Sequence, residues 1–197
     1  MRLRTSSDPH HSFTAMEQNR CTESFLQTTL LHSLVNVSQF GYKYFSYSYT
    51  AVTTKDTITF AFDREKFSAW YLDDISIVEK ATNAELIENG NFENGTLFAF
   101  RLCRQELSAP RSYLKSRSAH SGQYSFAINS SLSIDYLSQT FSTRLGQLYN
   151  ISYWLQNSGK NGQENRMRVI MSAASFHEFK SVASFLLCFT FSFFVLT

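Results

Sequence analysis

From Tyr42 to Ser172 apolar and polar positions alternate with a period of two, the pattern of strands with one face buried. Asp56–Phe62 sets Ile58, Phe60 and Phe62 on one face and Thr57, Thr59 and Ala61 on the other. In Ala69–Val78, strict parity puts Tyr71, Asp73, Ile75 and Ile77 opposite Leu72, Asp74, Ser76 and Val78. In Tyr149–Gln156 the core face is Tyr149, Ile151, Tyr153 and Leu155, and the other carries Asn150, Ser152, Trp154 and Gln156. Tyr42–Val52, Gly122–Ser131, Asp135–Phe141 and Asn165–Ser172 repeat the alternation. Asn89-Gly90, Asn94-Gly95, Ser121-Gly122, Ser158-Gly159 and Asn161-Gly162 punctuate it as turns. Short strands at this spacing predict an all-β sandwich or jelly roll, in which Tyr44, Phe60, Phe62 and Ile75 pack against Phe126, Leu137, Phe141 and Tyr153.

The ends read differently. Residues 1–39 form a disordered or weakly helical lead: Phe25, Leu26, Leu30, Leu34 and Val35 fall near a helical period, while Val35 and Val37 open an alternation that suits a strand. Two early arginines have no apolar run behind them, so no signal peptide is visible. Residues 181–197 carry no charge, Pro or Gly, and as a helix would span about 25 Å, just under a bilayer's hydrocarbon core. This apolar tail has three readings of equal weight: a membrane anchor next to Lys180, a removed lipid-anchor signal with small residues at Ser172, Ala173 and Ala174, or a misread intron.

Composition narrows the classes. Eighteen Lys and Arg against 16 Asp and Glu leave a net charge of +2, too balanced for a nucleic-acid footprint. Nineteen Phe and ten Tyr exclude a disordered chain. Cys21, Cys103 and Cys188 lie far apart without Cys/His spacing, which argues against zinc and against a disulfide framework as the main stabiliser.

Four segments taken together resemble a known family. Leu72-Asp73-Asp74-Ile75-Ser76-Ile77 looks like the closing strand of a galactose-binding-like jelly-roll sandwich of the carbohydrate-binding-module type. Glu88-Asn89-Gly90-Asn91-Phe92-Glu93-Asn94-Gly95 looks like its opening strand. His120-Ser121-Gly122-Gln123-Tyr124-Ser125 is similar to the next turn and strand, and Leu137–Phe141 with Tyr149–Leu155 to the two strands after it. The order departs from the family's, since the closing motif precedes the opening one. Residues 40–79 then supply closing strands and 85–172 opening strands, either as a slice of a tandem array or as one circularly permuted sandwich. The permuted sandwich is favoured, because each piece alone would leave long open strand edges.

The resemblance implies a structural calcium ion, held here by Glu93 with Asp73 or Asp74; parity favours Asp73. It also implies a non-enzymatic module that binds carbohydrate outside the cell or at its surface, with Trp154, Gln156 and Arg101 as the binding candidates. Aromatic faces stack on sugar rings, and amide or guanidinium groups bond the hydroxyls. The rival is an adhesion or spacer segment with no ligand. Hydrolysis of glycosides needs two carboxylates facing one cleft, whereas Asp63, Glu65, Glu79, Glu85 and Glu88 lie in or beside turns. His32, His120 and His177 have no GxSxG context, and His120 reads as a turn residue. Sequons stand at Asn36, Asn94, Asn129 and Asn150, the last on the Trp154 face.

Overall fold

The computed structural model describes residues 28–64, 69–104, 112–128, 134–159 and 164–173. These residues form two antiparallel five-stranded sheets and contain no helix. The strands are β1 (Thr28–Val35), β2 (Phe40–Thr50), β3 (Lys55–Arg64), β4 (Trp70–Glu79), β5 (Arg101–Arg104), β6 (Tyr113–Ser116), β7 (Tyr124–Ile128), β8 (Asp135–Ser142), β9 (Leu148–Asn157) and β10 (Asn165–Ala173). One sheet has the order β1-β10-β3-β8-β5, the other β2-β9-β4-β7-β6. The pairing is nested: β1 with β10, β2 with β9, β3 with β8 and β4 with β7, all antiparallel. The segments on either side of residues 80–84 therefore interleave in both sheets.

The core lies between the sheets, where the alternating apolar faces meet. Ile58, Phe60 and Phe62 of β3 are fully buried, as are Ile151, Tyr153 and Leu155 of β9 and Met167 and Val169 of β10. Phe60 meets the Tyr153 ring edge-on at 5.2 Å between centroids, and Phe45 stacks on the same ring. Rings offset or edge-on bring the positive edge of one π-system to the negative face of the other.

Three expectations are corrected. Residues 28–35, read as part of a weakly helical lead, form the edge strand β1. A β-bulge between Leu30 and His32 turns the consecutive Leu31 and His32 partly inward together with Leu34, and that spacing mimics a helical stripe. Tyr44, assigned to the core, is 53% exposed because it shares parity with the outward Ser46 and Ser48, whereas Phe45, Tyr47 and Tyr49 turn inward. In β4 strict parity fails at a second bulge, between Asp73 and Ser76, where Asp74 takes a positive φ of 47°. Leu72 thus points into the core before the bulge, and Ile75 and Ile77 after it. Asp73 is paired with Trp154 on the outer face. The apolar tail at 181–197 lies outside the described residues.

The β4 bulge also marks a change of neighbour. Before it, Trp70–Leu72 pair with β7; beyond it, the chain turns at residues 80–84 and returns along β4. Ile77 O accepts from Leu86 N, and Ile75 N donates to Gly90 O, each at 2.9 Å. The family-like closing and opening motifs are thus joined by a tight turn and run side by side. On β5, Cys103 is disulfide-bonded.

Candidate functional site

The outward residues of β2, β9 and β4 build one face. Tyr44 lies opposite Trp154, and Trp154 opposite Asp73, so the three form a row across the strands. Gln156 stands two residues further along β9, opposite Tyr71, on the same face. Ser46, Asn150 and Ser152 flank the row on the other side, with Ser46 Oγ donating to Asn150 Oδ1 at 3.0 Å. Hydrogen bonds from Ser152 and then Ser46 hold the Tyr44 hydroxyl below its usual pKa. The face therefore combines open aromatic surface with a ring of small hydroxyl and amide groups.

One end of the face is roofed by the loop from Ser118 to Gln123, which joins β6 to β7. Asp73 Oδ2 accepts from the His120 amide at 2.7 Å and more weakly from that of Ser121; Asp73 Oδ1 accepts from the Asp74 amide at 2.8 Å. His120 Nδ1 donates to Asp74 Oδ2 at 2.6 Å, and Ser121 Oγ to Asp74 Oδ1 at 2.7 Å. Glu93 Oε1 accepts from the amides of Gln123 and Tyr124, both at 2.8 Å. Tyr42 completes the clamp by donating to Ser118 O at 2.8 Å. Gly122 has a φ of +60°, and a Cβ there would stand 2.4 Å from Glu93 Cδ, so the clamped turn requires glycine. Through this loop the His120 ring is laid on Trp154, 3.6 Å between centroids and nearly parallel.

One face of the Trp154 indole is therefore already covered, and Tyr44, 5.5 Å from it, is the open aromatic of the pair. The structure brings Trp154 and Gln156 to the same face as expected from their parity. Arg101 stands apart, because β5 is the far edge of the other sheet. Sequence reasoning missed Tyr44, Tyr42 and His120 as members of the face. Parity with Ser46 and Ser48 carried the signal for Tyr44; His120 enters through a loop whose course only tertiary contacts fix.

Asp73, Asp74 and Glu93, the residues offered for calcium, meet at one loop, but their carboxylates accept N–H and O–H groups there. A proton points at most of the oxygens where a cation would need lone pairs. Among the described residues no group of three or more His, Cys, Asp and Glu is arranged to hold a metal. The donor set as folded does not fit a resident calcium ion. Nor is the Asp74–His120–Ser121 group a catalytic relay: the carboxylate sits between histidine and serine, whereas base catalysis on serine needs the histidine between them.

Asp73 is fully buried, and loss of hydration pushes its carboxyl up from 3.8 to about 6; the neighbouring Asp74 carboxylate adds to the shift, and the amide donors oppose it. A raised acid pKa favours the protonated form in the folded state. Its contribution is complete below about pH 4 and is lost as pH rises through about 6. Between those values stability should fall by on the order of 2–3 kcal/mol from this group alone. Denaturant unfolding of the wild type and Asp73→Asn at a series of pH values checks it: the difference between the two curves should change with pH over that interval. A difference independent of pH would refute the assignment.

On the outer face of the opposite sheet lies a cavity of about 160 Å³, lined by Ala61, Asp63, Ile134, Tyr136, Arg166, Arg168 and Ile170. Compared with protein families, curated proteins and solved structures, the chain matches none.

Proposed function

We propose that this chain is a non-enzymatic carbohydrate-binding module of the jelly-roll type that works outside the cell or at its surface. The observation that carries the reading is the row of Tyr44 and Trp154 on an outward sheet face, edged by Ser46, Asn150, Ser152 and Gln156. A sugar ring has one apolar face of C–H groups and a rim of hydroxyls. Tyr44 offers the aromatic surface, and the rim groups offer donors and acceptors at the same level. The His120 ring stiffens Trp154 from behind, so the platform is ordered before a ligand arrives and loses less entropy on binding.

The nested strand order supports the jelly-roll part of the reading, since a long hairpin rolled into two sheets pairs its strands from the outside inward. The disulfide at Cys103 supports an oxidising compartment, as do exposed asparagines in the sequons at Asn36 and Asn94. Calcium is not part of this proposal, because its suggested ligands are engaged in holding the loop.

Affinity electrophoresis through gels containing soluble polysaccharides tests the proposal. At least one glycan should retard the full chain, and Tyr44→Ala should weaken retention about tenfold, equivalent to ~1.4 kcal/mol. Tyr44 is the cleaner probe, since Trp154→Ala would also strip the support from His120. One observation favours the rival spacer reading. Asn150, in the sequon Asn150-Ile151-Ser152, stands on this same face, and a glycan attached there would cover it. Absence of retention on every polysaccharide, with and without enzymatic removal of N-glycans, would leave the spacer as the function.

A further inference from the structure

At one end of the sandwich two turns converge on a third, residues 143–148. Ala51 N donates to Gln147 O at 3.0 Å, Gly146 N to Ala51 O at 2.8 Å, and Thr143 N to Thr54 O at 3.0 Å. From the turn at residues 80–84, Lys80 N donates to Leu148 O at 2.9 Å. On this pinned backbone Leu145 is 67% exposed, Leu148 44% and Val52 37%. Large apolar side chains held in water on ordered turns have no role in the core they flank, and grouped at one tip they mark a contact surface.

Exposed basic side chains outnumber exposed acidic ones around the tip. Lys55, Lys80 and Arg144 are exposed. Two acids of the same segments are buried. Asp56 is fully buried and accepts from Tyr49 and Thr53; Glu79 is buried beside Thr82, with Arg144 at 3.6 Å. Glu85, next along the turn at residues 80–84, is exposed, and its carboxylate accepts from Ser76 and the Ile77 amide. β10 reaches the same end. It ends at Ala173, paired with Asp56, and the remaining sequence leads to the uncharged apolar stretch 181–197.

We propose that this tip docks on an anionic lipid surface, with Leu145, Val52 and Leu148 entering the acyl boundary and Lys55, Lys80 and Arg144 meeting the headgroups. Apolar burial and attraction between basic side chains and anionic lipid act together in such contacts. Ala173, the last described residue, lies at this same end, and the sequence from it leads to the uncharged apolar stretch. The proposal does not depend on the sugar-binding reading.

The test uses the full chain with vesicles of phosphatidylcholine alone or mixed with phosphatidylserine. Leu145→Trp places a fluorophore at the tip, and Val35→Trp places one at the opposite end, opposite Arg166 at the start of β10. With brominated phosphatidylcholine in the mixed vesicles, the Leu145→Trp emission should be quenched and that of Val35→Trp should stay at the wild-type level. Lys80→Ala should weaken partitioning onto phosphatidylserine vesicles about fivefold, and Leu145→Asp by more, with unchanged circular dichroism. Unquenched Leu145→Trp in vesicle-bound chain would mean attachment by the tail alone and would overturn the proposal. Equal quenching at positions 35 and 145, or no partitioning onto either vesicle, would overturn it as well.

Discussion

A fragment of residues 85–173 should remain molten or aggregate, while the full chain unfolds in one cooperative transition. The expectation follows from where β3 and β4 sit. β3 lies between β10 and β8 in one sheet, and β4 between β9 and β7 in the other. Removing them opens both sheets in the middle and leaves four unpaired strand edges, the geometry that invites aggregation. The energetic loss is as large. Ile58, Phe60, Phe62, Trp70, Leu72 and Ile77 are fully buried, and each contributes about 1.5–3 kcal/mol by leaving water. Together they are as large as the roughly 5–15 kcal/mol by which a domain is stable at all. Near-ultraviolet circular dichroism and a urea titration of the fragment decide the matter. A sharp transition with native-like aromatic signals would show that residues 85–173 fold alone and that the earlier strands belong to a neighbouring unit.

The single substitution with the largest expected cost is Gly90→Ala. Gly90 lies where the returning chain passes β4, and its carbonyl takes the Ile75 amide. A Cβ built there would stand 1.9 Å from Ile75 O and 3.0 Å from Ile87 Cγ2. The first obstacle is backbone in the middle of β4, which cannot swing aside as a side-chain end could. Relief requires separating the two segments, which breaks the Ile75–Gly90 hydrogen bond and loosens the packing of Phe92 and Ile87 beneath it. A loss of more than about 3 kcal/mol is expected, placing the variant among the severe point mutations. In a chain of this size that lowers the melting temperature by roughly 6–12 °C. Gly41→Ala is the control, because a Cβ at Gly41 meets nothing within 4 Å. Equal melting temperatures for the two variants would refute the close approach of residues 75 and 90.

The strands that alternate cleanly were legible from the chain alone, including which side of each was core. Ile58, Phe60 and Phe62, and again Tyr149, Ile151, Tyr153 and Leu155, turn inward as their spacing requires. The reason is local: successive side chains of an extended backbone point to opposite faces, so a buried face is recorded every second residue. The same record identified Trp154 and Gln156 as outward neighbours before any pairing was known.

Where alternation breaks, the record is no longer local. The bulges at Leu30/His32 and Asp73/Ser76 each shift the phase within one strand. The first disguised β1 as helical; the second moved Leu72 to the core and Asp73 outward. The short strands β5 and β6, four residues each, carry too few alternating positions to announce themselves. The site shows the same division. Parity gave Trp154 its outward face. Tyr44 was misassigned to the core although it shares the parity of Ser46 and Ser48. That the two stand side by side follows from the pairing of β2 with β9, about a hundred residues apart. The clamp of Asp73, Asp74 and Glu93 on the loop at residues 118–124 joins three distant segments, and no spacing along the chain encodes it. The sequence by itself therefore determined a two-faced, all-β chain, because face is a property of each strand. Only the tertiary structure decided which strands adjoin, because a neighbour is selected by the closing of the whole sandwich core.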